Sequence, residues 1–331
     1  MSENQKIRPE NFVYSLRSVT EEAALAAYDW IGRGQKEEGD GAAVIAMRAA
    51  LNKLAFSGEI VIGEGEKDEA PMLFKGERVG ANANDHEDVE YSIAVDPVEG
   101  TSYLAKGLTN AMAVIALAKK GSMFDPSPSF YMEKFAAAAP ARGKIDMTWP
   151  TSKKLNALAE CLGKDVRDLT VFVLEKPRHK RLVEDIHNAG ARVALYPAGD
   201  VAGAIMAALP DTGIDALMGT GGSPEGIICA VAINAIGGEF MGRIDPQLPS
   251  EKIAVRNAGL DTTHWYKIDE LASGDDLHFC GTGITTGLLF DGIERHPEYT
   301  RMQTLMISKT SAGRQLLTTF LPHTQKNKSK Q

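Results

Sequence analysis

Tyr91-Ser-Ile-Ala-Val-Asp-Pro-Val-Glu-Gly-Thr101 sets a short apolar run directly against an acidic turn. Residues 91–95 read as a buried strand, and Asp96 and Glu99 follow in a turn shaped by Pro97 and Gly100. Residues 59–62 repeat the arrangement, a short apolar strand running into Gly63-Glu-Gly-Glu66. Glu64 and Glu66 thus stand at a second strand end. Side chains on Gly-rich turns at strand carboxyl ends are held by a rigid scaffold yet reach solvent, the usual place for sites in α/β layers.

Ser18-Val-Thr-Glu21 matches a capping box, predicting a helix that runs through Trp30 and Ile31 and stops at Gly32-Arg-Gly34. A second helix is expected over 42–54, with Asp40 at its N-terminal mouth. Residues 81–90 form an acidic, Asn-rich loop. Beyond Pro150 helices (151–163, 177–189, 200–208) alternate with strands (169–174, 192–196, 214–218), an α/β pattern with a sheet covered by helices. A helix over 224–236 and strands near 239–244, 277–284 and 303–309 complete the reading. The change of rhythm suggests two units, 1–160 and 161–331, followed by a frayed polar end at 325–331.

The chain has 36 Lys and Arg against 44 Asp and Glu, and 36 − 44 gives a net charge of −8. At 331 residues, 44% of them hydrophobic and 24% charged, a globular core is affordable and disorder is not indicated. The acid excess argues against bulk binding of nucleic acid or anionic membranes. Cys161, Cys229 and Cys280 have no CxxC spacing and are odd in number, so free thiols in a reducing compartment are expected. No apolar stretch is long enough to span a bilayer, and the first twelve residues lack a signal-type apolar core. A soluble cytoplasmic protein is the expectation.

The acids are unevenly placed. One acidic loop is an ordinary solvated feature; two with the same arrangement, plus Asp40, are not. Clustered carboxylates repel, and hard oxygen ligands invite Mg²⁺ or Mn²⁺. Gly100 lets the backbone approach a ligand, and a short helix from Thr101 turns its positive end toward an anion. A phosphate between metals and backbone donors would sit beside the Thr101 hydroxyl.

Asp96-Pro-Val-Glu-Gly-Thr101 resembles the DPxxGT motif of the lithium-sensitive sugar and inositol phosphatase superfamily. Asp40-Gly-Ala-Ala-Val, the segment 62–72, Tyr131-Met-Glu-Lys134, Lys176-Pro-Arg-His179 and Gly221-Gly-Ser-Pro-Glu-Gly226 follow in an order that resembles class II fructose-1,6-bisphosphatase, the bacterial type, with its fructose/sedoheptulose dual-function relatives. The resemblance covers roughly residues 15–285.

It implies an α/β (α+β) protein with the layered α/β/α/β/α sugar-phosphatase fold. The implied reaction is removal, with Mn²⁺ or Mg²⁺, of the 1-phosphate of fructose-1,6-bisphosphate to give fructose 6-phosphate, in gluconeogenesis or the Calvin cycle. Sedoheptulose-1,7-bisphosphatase or dual activity is the alternative, as is another phosphatase of the superfamily. By resemblance Asp40, Glu64, Asp96, Glu99 and Glu225 are metal ligands, and Thr101, Asp40 and Glu64 are catalytic. Glu99, Gly100, Thr101, Tyr131, Lys176, Pro177, Arg178, Asp200 and Gly222 match substrate-binding positions. On this reading unit 1–160 carries the metals and unit 161–331 binds substrate and contributes Glu225. A homo-oligomer, dimer or tetramer, is also implied.

The residue chemistry agrees. Lys176 and Arg178 suit a distal phosphate, Arg through its planar fork. Tyr131 can stack on or hydrogen-bond to a sugar, and Asp200 can accept from its hydroxyls. Taken singly, the two cations suit a solvated turn, Tyr131 a core aromatic and Glu225 a first helical turn. His179 has no expected role. The family commonly reads Pro-Asp-Gly-Asp where this chain has Pro197-Ala-Gly-Asp200, which bears on substrate choice. A nicotinamide site fails for want of the third glycine, a P-loop for want of GxxxxGK[ST], and a zinc site for want of HxxxH or HExxH. A sugar-phosphate sensor would need no ordered nucleophile.

Overall fold

The computed structural model describes residues 9–64, 72–83, 89–310 and 313–323. Gly65, Glu66 and most of the 62–72 motif, part of the 81–90 loop and the polar end at 325–331 lie outside the described residues.

The chain opens with α1 (Pro9–Tyr28) and α2 (Lys36–Leu51), then β1 (Gly58–Ile62), β2 (Arg78–Val79), β3 (Tyr91–Glu99), α3 (Thr101–Lys106) and β4 (Met112–Lys119). It continues through β5 (Tyr131–Ala137), α4 (Thr151–Leu162), β6 (Thr170–Leu174), α5 (Lys180–Asn188), β7 (Arg192–Tyr196), α6 (Asp200–Ala208) and β8 (Ala216–Gly222). Next come α7 (Ser223–Ala235), β9 (Glu239–Ile244), α8 (Pro249–Asn257), β10 (Tyr266–Lys267) and α9 (Ile268–Leu271). The last strands are β11 (Leu277–Gly283), β12 (Glu294–Arg295), β13 (Tyr299–Ser308) and β14 (Gly313–Pro322).

Among the described residues these strands form two sheets. The first runs β12-β13-β11-β4-β3-β1-β2, with β14 also paired to β13; the second runs β10-β9-β5-β8-β6-β7. Period-two side-chain alternation separates the layers. In β4, Met112, Val114 and Ala116 face a core shared with α6 and α7, whereas Ala113, Ile115 and Leu117 face α1 and α2. In β5, Met132 and Ala136 face α6 and α7, and Phe135 and Ala137 pack toward α4. The order is therefore α1/α2, first sheet, α6/α7, second sheet, α4/α5, the layered α/β/α/β/α arrangement expected from the sequence. The helix α7 lies between sheets, which is why Ile227–Ile233 are buried on every side.

Several local expectations change. Ser18 does not cap a helix: α1 begins at Pro9, and the Ser18 hydroxyl donates to the Ser15 carbonyl 2.8 Å away. The apolar positions Phe12, Val13, Leu16, Val19 and Ala23 are all buried at helical spacing, and that longer stripe governs. α2 starts at Lys36, so Asp40 lies inside the helix rather than at its mouth. β3 continues through Asp96 to Glu99, with its pairing to β4 shifted between those two residues. The helix expected from 177 begins as a 3-10 turn, Pro177–His179, before α5. Residue 160 lies within α4, and each sheet draws on both sides of it: β5 joins the second sheet, and β11 and β13 complete the first.

Candidate active site

The carboxyl ends of β1, β3, β6, β7 and β8 open onto one cleft of about 370 Å³. Its wall holds Asp40, Glu64, Asp96, Glu99, Gly100, Thr101, Lys176, Arg178, Asp200, Gly222 and Glu225. Tyr131 and Pro177 are not in that wall. Tyr131 instead lies beneath Arg178, whose guanidinium carbon is 5.2 Å from the ring centre. Pro177 opens the 3-10 turn that presents its two cationic neighbours.

The acidic wall is built from four elements. Asp96 accepts from the Val98 N–H at 3.1 Å, an Asx-type turn within the shifted part of β3. Gly100 then takes φ of +84°, a left-handed value, and Thr101 begins α3. Asp40 lies beside Glu64, and Asp96 beside Glu99, so each pair of carboxyls interacts directly. Ligand oxygens of Asp96, Glu99 and Glu225 lie within 4.8 Å of one another. A Cβ on Gly222 would stand 1.8 Å from Glu225 Oε2, so this glycine makes room for the carboxylate.

Lys176 and Arg178 add cations to the lining of the same cleft. Arg178 donates through Nε and Nη2 to the Thr220 carbonyl, at 3.0 and 2.7 Å, so part of its fork is spent on the scaffold. His179, without a role from sequence, pins this turn: Nδ1 donates to the Leu174 carbonyl at 2.7 Å and Nε2 accepts from the Thr220 N–H at 2.8 Å. Burial lowers its pKa, and the accepting Nε2 requires the neutral ring. Tyr103 was also missed. Its hydroxyl donates to the Ala198 carbonyl and accepts from the Ala198 N–H, at 2.8 and 2.9 Å, tying the Pro197–Asp200 turn to α3. Lys36 and Glu37, from the first turn of α2, join the wall as well. An exposed Lys-Glu pair gives no signal in sequence; its place is set by how α2 packs.

Burial and mutual repulsion dominate the electrostatics. Glu64 is pushed up to about 8, by burial first and then by Asp40 and Glu225. Glu99 is pushed up to about 8 by burial, Glu225 and Asp200. Asp96 is raised by burial and by Glu99, Glu64 and Glu225. Asp40 is raised by burial and by Glu37. Each of these four acids is thus harder to ionise than a free carboxyl. Among the described residues Glu225 Oε2 is buried with no hydrogen-bond partner, an orphan acceptor on a member of the acidic cluster. The donor set is all carboxylate oxygen, which suits a hard divalent cation.

A family described as bacterial fructose-1,6-bisphosphatase, glpX-encoded, matches residues 10–320. A fructose-1,6-bisphosphatase class 2 of Haemophilus influenzae is 44% identical over 302 residues, covering 87% of this chain and 89% of its own. A D-fructose 1,6-bisphosphatase class 2/sedoheptulose 1,7-bisphosphatase of Microcystis aeruginosa is 42% identical over 314 residues, covering 88% and 91%. Among solved structures, an inositol monophosphatase from Anabaena aligns over 60% of this chain and 71% of its own at 14% identity and a TM-score of 0.31. With its family match and its relatives agreeing over nearly the whole length, this chain belongs to the bacterial, class 2 fructose-1,6-bisphosphatases.

Proposed function

We propose that the protein hydrolyses the 1-phosphate of fructose-1,6-bisphosphate in the cleft between the two sheets, with Mg²⁺ or Mn²⁺ held by Asp40, Glu64, Asp96, Glu99 and Glu225. The observation that carries this is the five-carboxylate lining, with Glu225 Oε2 lacking a partner among the described residues, in the same cleft that Lys176 and Arg178 line. When bound, divalent ions supply charge neutralisation at the phosphate and activation of water. The chain's own groups do the rest. Gly100 and the start of α3 let backbone N–H groups approach the reacting phosphate. The Thr101 hydroxyl orients the attacking water, and the Asp40–Glu64 pair accepts its proton. Lys176 and Arg178 hold the distal phosphate, with Tyr131 supporting Arg178, and Asp200 accepts from sugar hydroxyls. Water exclusion is incomplete in an open cleft, so positioning and charge carry the rate.

Sedoheptulose-1,7-bisphosphate is a second substrate on this reading. Ala198 leaves that turn one carboxylate short of the family's usual pattern, and the seven-carbon sugar reaches further along the same wall. The product, fructose 6-phosphate, places the reaction in gluconeogenesis or the Calvin cycle. A homo-oligomer, dimer or tetramer, is part of the proposal: Leu316 and Phe320 on β14 are each more than half exposed, an apolar surface that self-association would cover. The three free cysteines suit a reducing compartment such as the cytoplasm. No helix among the described residues is long and apolar enough to cross a membrane. Phosphate release from each bisphosphate, with Mn²⁺ or Mg²⁺ and again after chelation, tests the proposal. Turnover on neither sugar, or turnover indifferent to chelation, would overturn it.

A further inference from the structure

Lys134 occupies a position that strand periodicity reserves for an apolar side chain. Met132 and Ala136, two residues to either side in β5, both face the core between the sheets, and Lys134 points the same way. Its side chain is 0% exposed. The ammonium meets Asp200 Oδ2 at 2.7 Å, its ion pair among the described residues. The stem crosses α7 at Gly226, where a Cβ would come within 3.2 Å of Lys134 Cε. A Cβ on Gly221 would lie 1.8 Å from Asp200 Oδ2 and 3.2 Å from Lys134 Nζ, so the pair is enclosed by bare backbone. Stability does not demand such a pair: a buried ion pair is often matched or bettered by apolar residues of the same volume. It lies instead at the floor of the cleft, where Asp200 is part of the wall and Lys134 is not.

We propose that Lys134 is a positioning residue for the substrate: it clamps one oxygen of Asp200 and leaves the other oxygen to accept from the sugar. The proposal rests on the reading that Asp200 meets the sugar. An unclamped Asp200 would stand among neighbouring carboxylates without its ion pair, and it would turn away. That change removes an acceptor from the sugar while leaving the reacting phosphate and Thr101 untouched. The signature is therefore in KM, and it runs through Asp200.

Three variants, Lys134→Met, Asp200→Asn and the double substitution, are compared in the full-length protein with Mn²⁺ present. Lys134→Met is expected to raise KM for fructose-1,6-bisphosphate about tenfold, with kcat within about threefold. In the Asp200→Asn background the same change is expected to add little. Mn²⁺ binding without substrate, read by electron paramagnetic resonance, should hold or tighten, because a cation near Glu225 has gone. A packing defect would weaken Mn²⁺ binding together with KM and melting temperature, and that result overturns the proposal. So does a rise in KM that persists in full beside Asp200→Asn. If Asp200→Asn raises KM and Lys134→Met does not, the proposal fails while the reading of Asp200 stands; an unchanged KM in Asp200→Asn sinks that reading itself. Should Lys134→Met not fold, Lys134→Gln keeps a donor without the charge, with an intermediate KM expected and an unchanged KM decisive against.

Discussion

On the proposed mechanism, Thr101 is the residue whose loss should separate chemistry from assembly. It neither packs the core nor belongs to the acidic cluster, so Thr101→Ala should leave melting temperature and Mn²⁺ binding intact while kcat falls about 10²–10⁴-fold. Near-normal kcat would remove it from the mechanism. Glu225→Gln should act the other way, weakening Mn²⁺ binding at least about tenfold in a titration without substrate, since an amide cannot supply the missing charge. That the acidic residues share one cleft was legible because Gly-rich acidic turns followed apolar runs, and because their order resembles a family. Tyr103 and His179 were not. Each acts by bonding to backbone far away in sequence, Tyr103 on Ala198 and His179 on Thr220, and no local pattern encodes those partners.

At the level of elements, α6 depends on one glycine for its approach to β6. A Cβ on Gly203 would sit 2.6 Å from the Phe172 ring, which is itself stacked on Tyr196 at 4.8 Å. In a helix Ala gains about 1 kcal/mol over Gly, but overpacking a fully buried ring costs about 1–3 kcal/mol. The ring has no room to yield, so Gly203→Ala should lower stability in urea titration; a gain would show that α6 can shift outward. The alternating segments β7, α6 and β9 match their sequence expectations residue for residue, because each is a short apolar run between clear turn residues. β5, β14 and α8 were not foreseen. β5 carries Glu133 and Lys134 within its seven residues, and β14 is an edge strand whose pattern mixes exposed apolar and polar side chains. Neither shows the clean alternation by which a strand is read.

Across the whole molecule, the raised acids couple stability to pH. Glu64 and Glu99 hold protons to about pH 8, against an ordinary value of 4.5. Between those values the folded chain binds more protons than the unfolded one, so stability of the chelated protein should fall as pH rises from about 5 to 8. On the proposed function Mn²⁺ would replace the protons, and its stabilising effect should grow over the same range. Melting curves with EDTA and with Mn²⁺ check both slopes; a chelated protein that gains stability with rising pH would contradict the assigned burial. The net charge of −8 adds a further expectation. In Thr101→Ala, calorimetry should detect the bisphosphate binding with Mn²⁺ and find it much weakened without. The order of strands in the first sheet also has a consequence for synthesis. β4, with Met112–Ala118 all buried, gains its neighbour β11 only after some 160 further residues have been made, 277 − 119 = 158. Until the ribosome has delivered β11, that apolar edge has no mate, and a nascent or truncated chain carries it bare. Chains cut short before Leu277 should therefore aggregate rather than fold as a smaller enzyme.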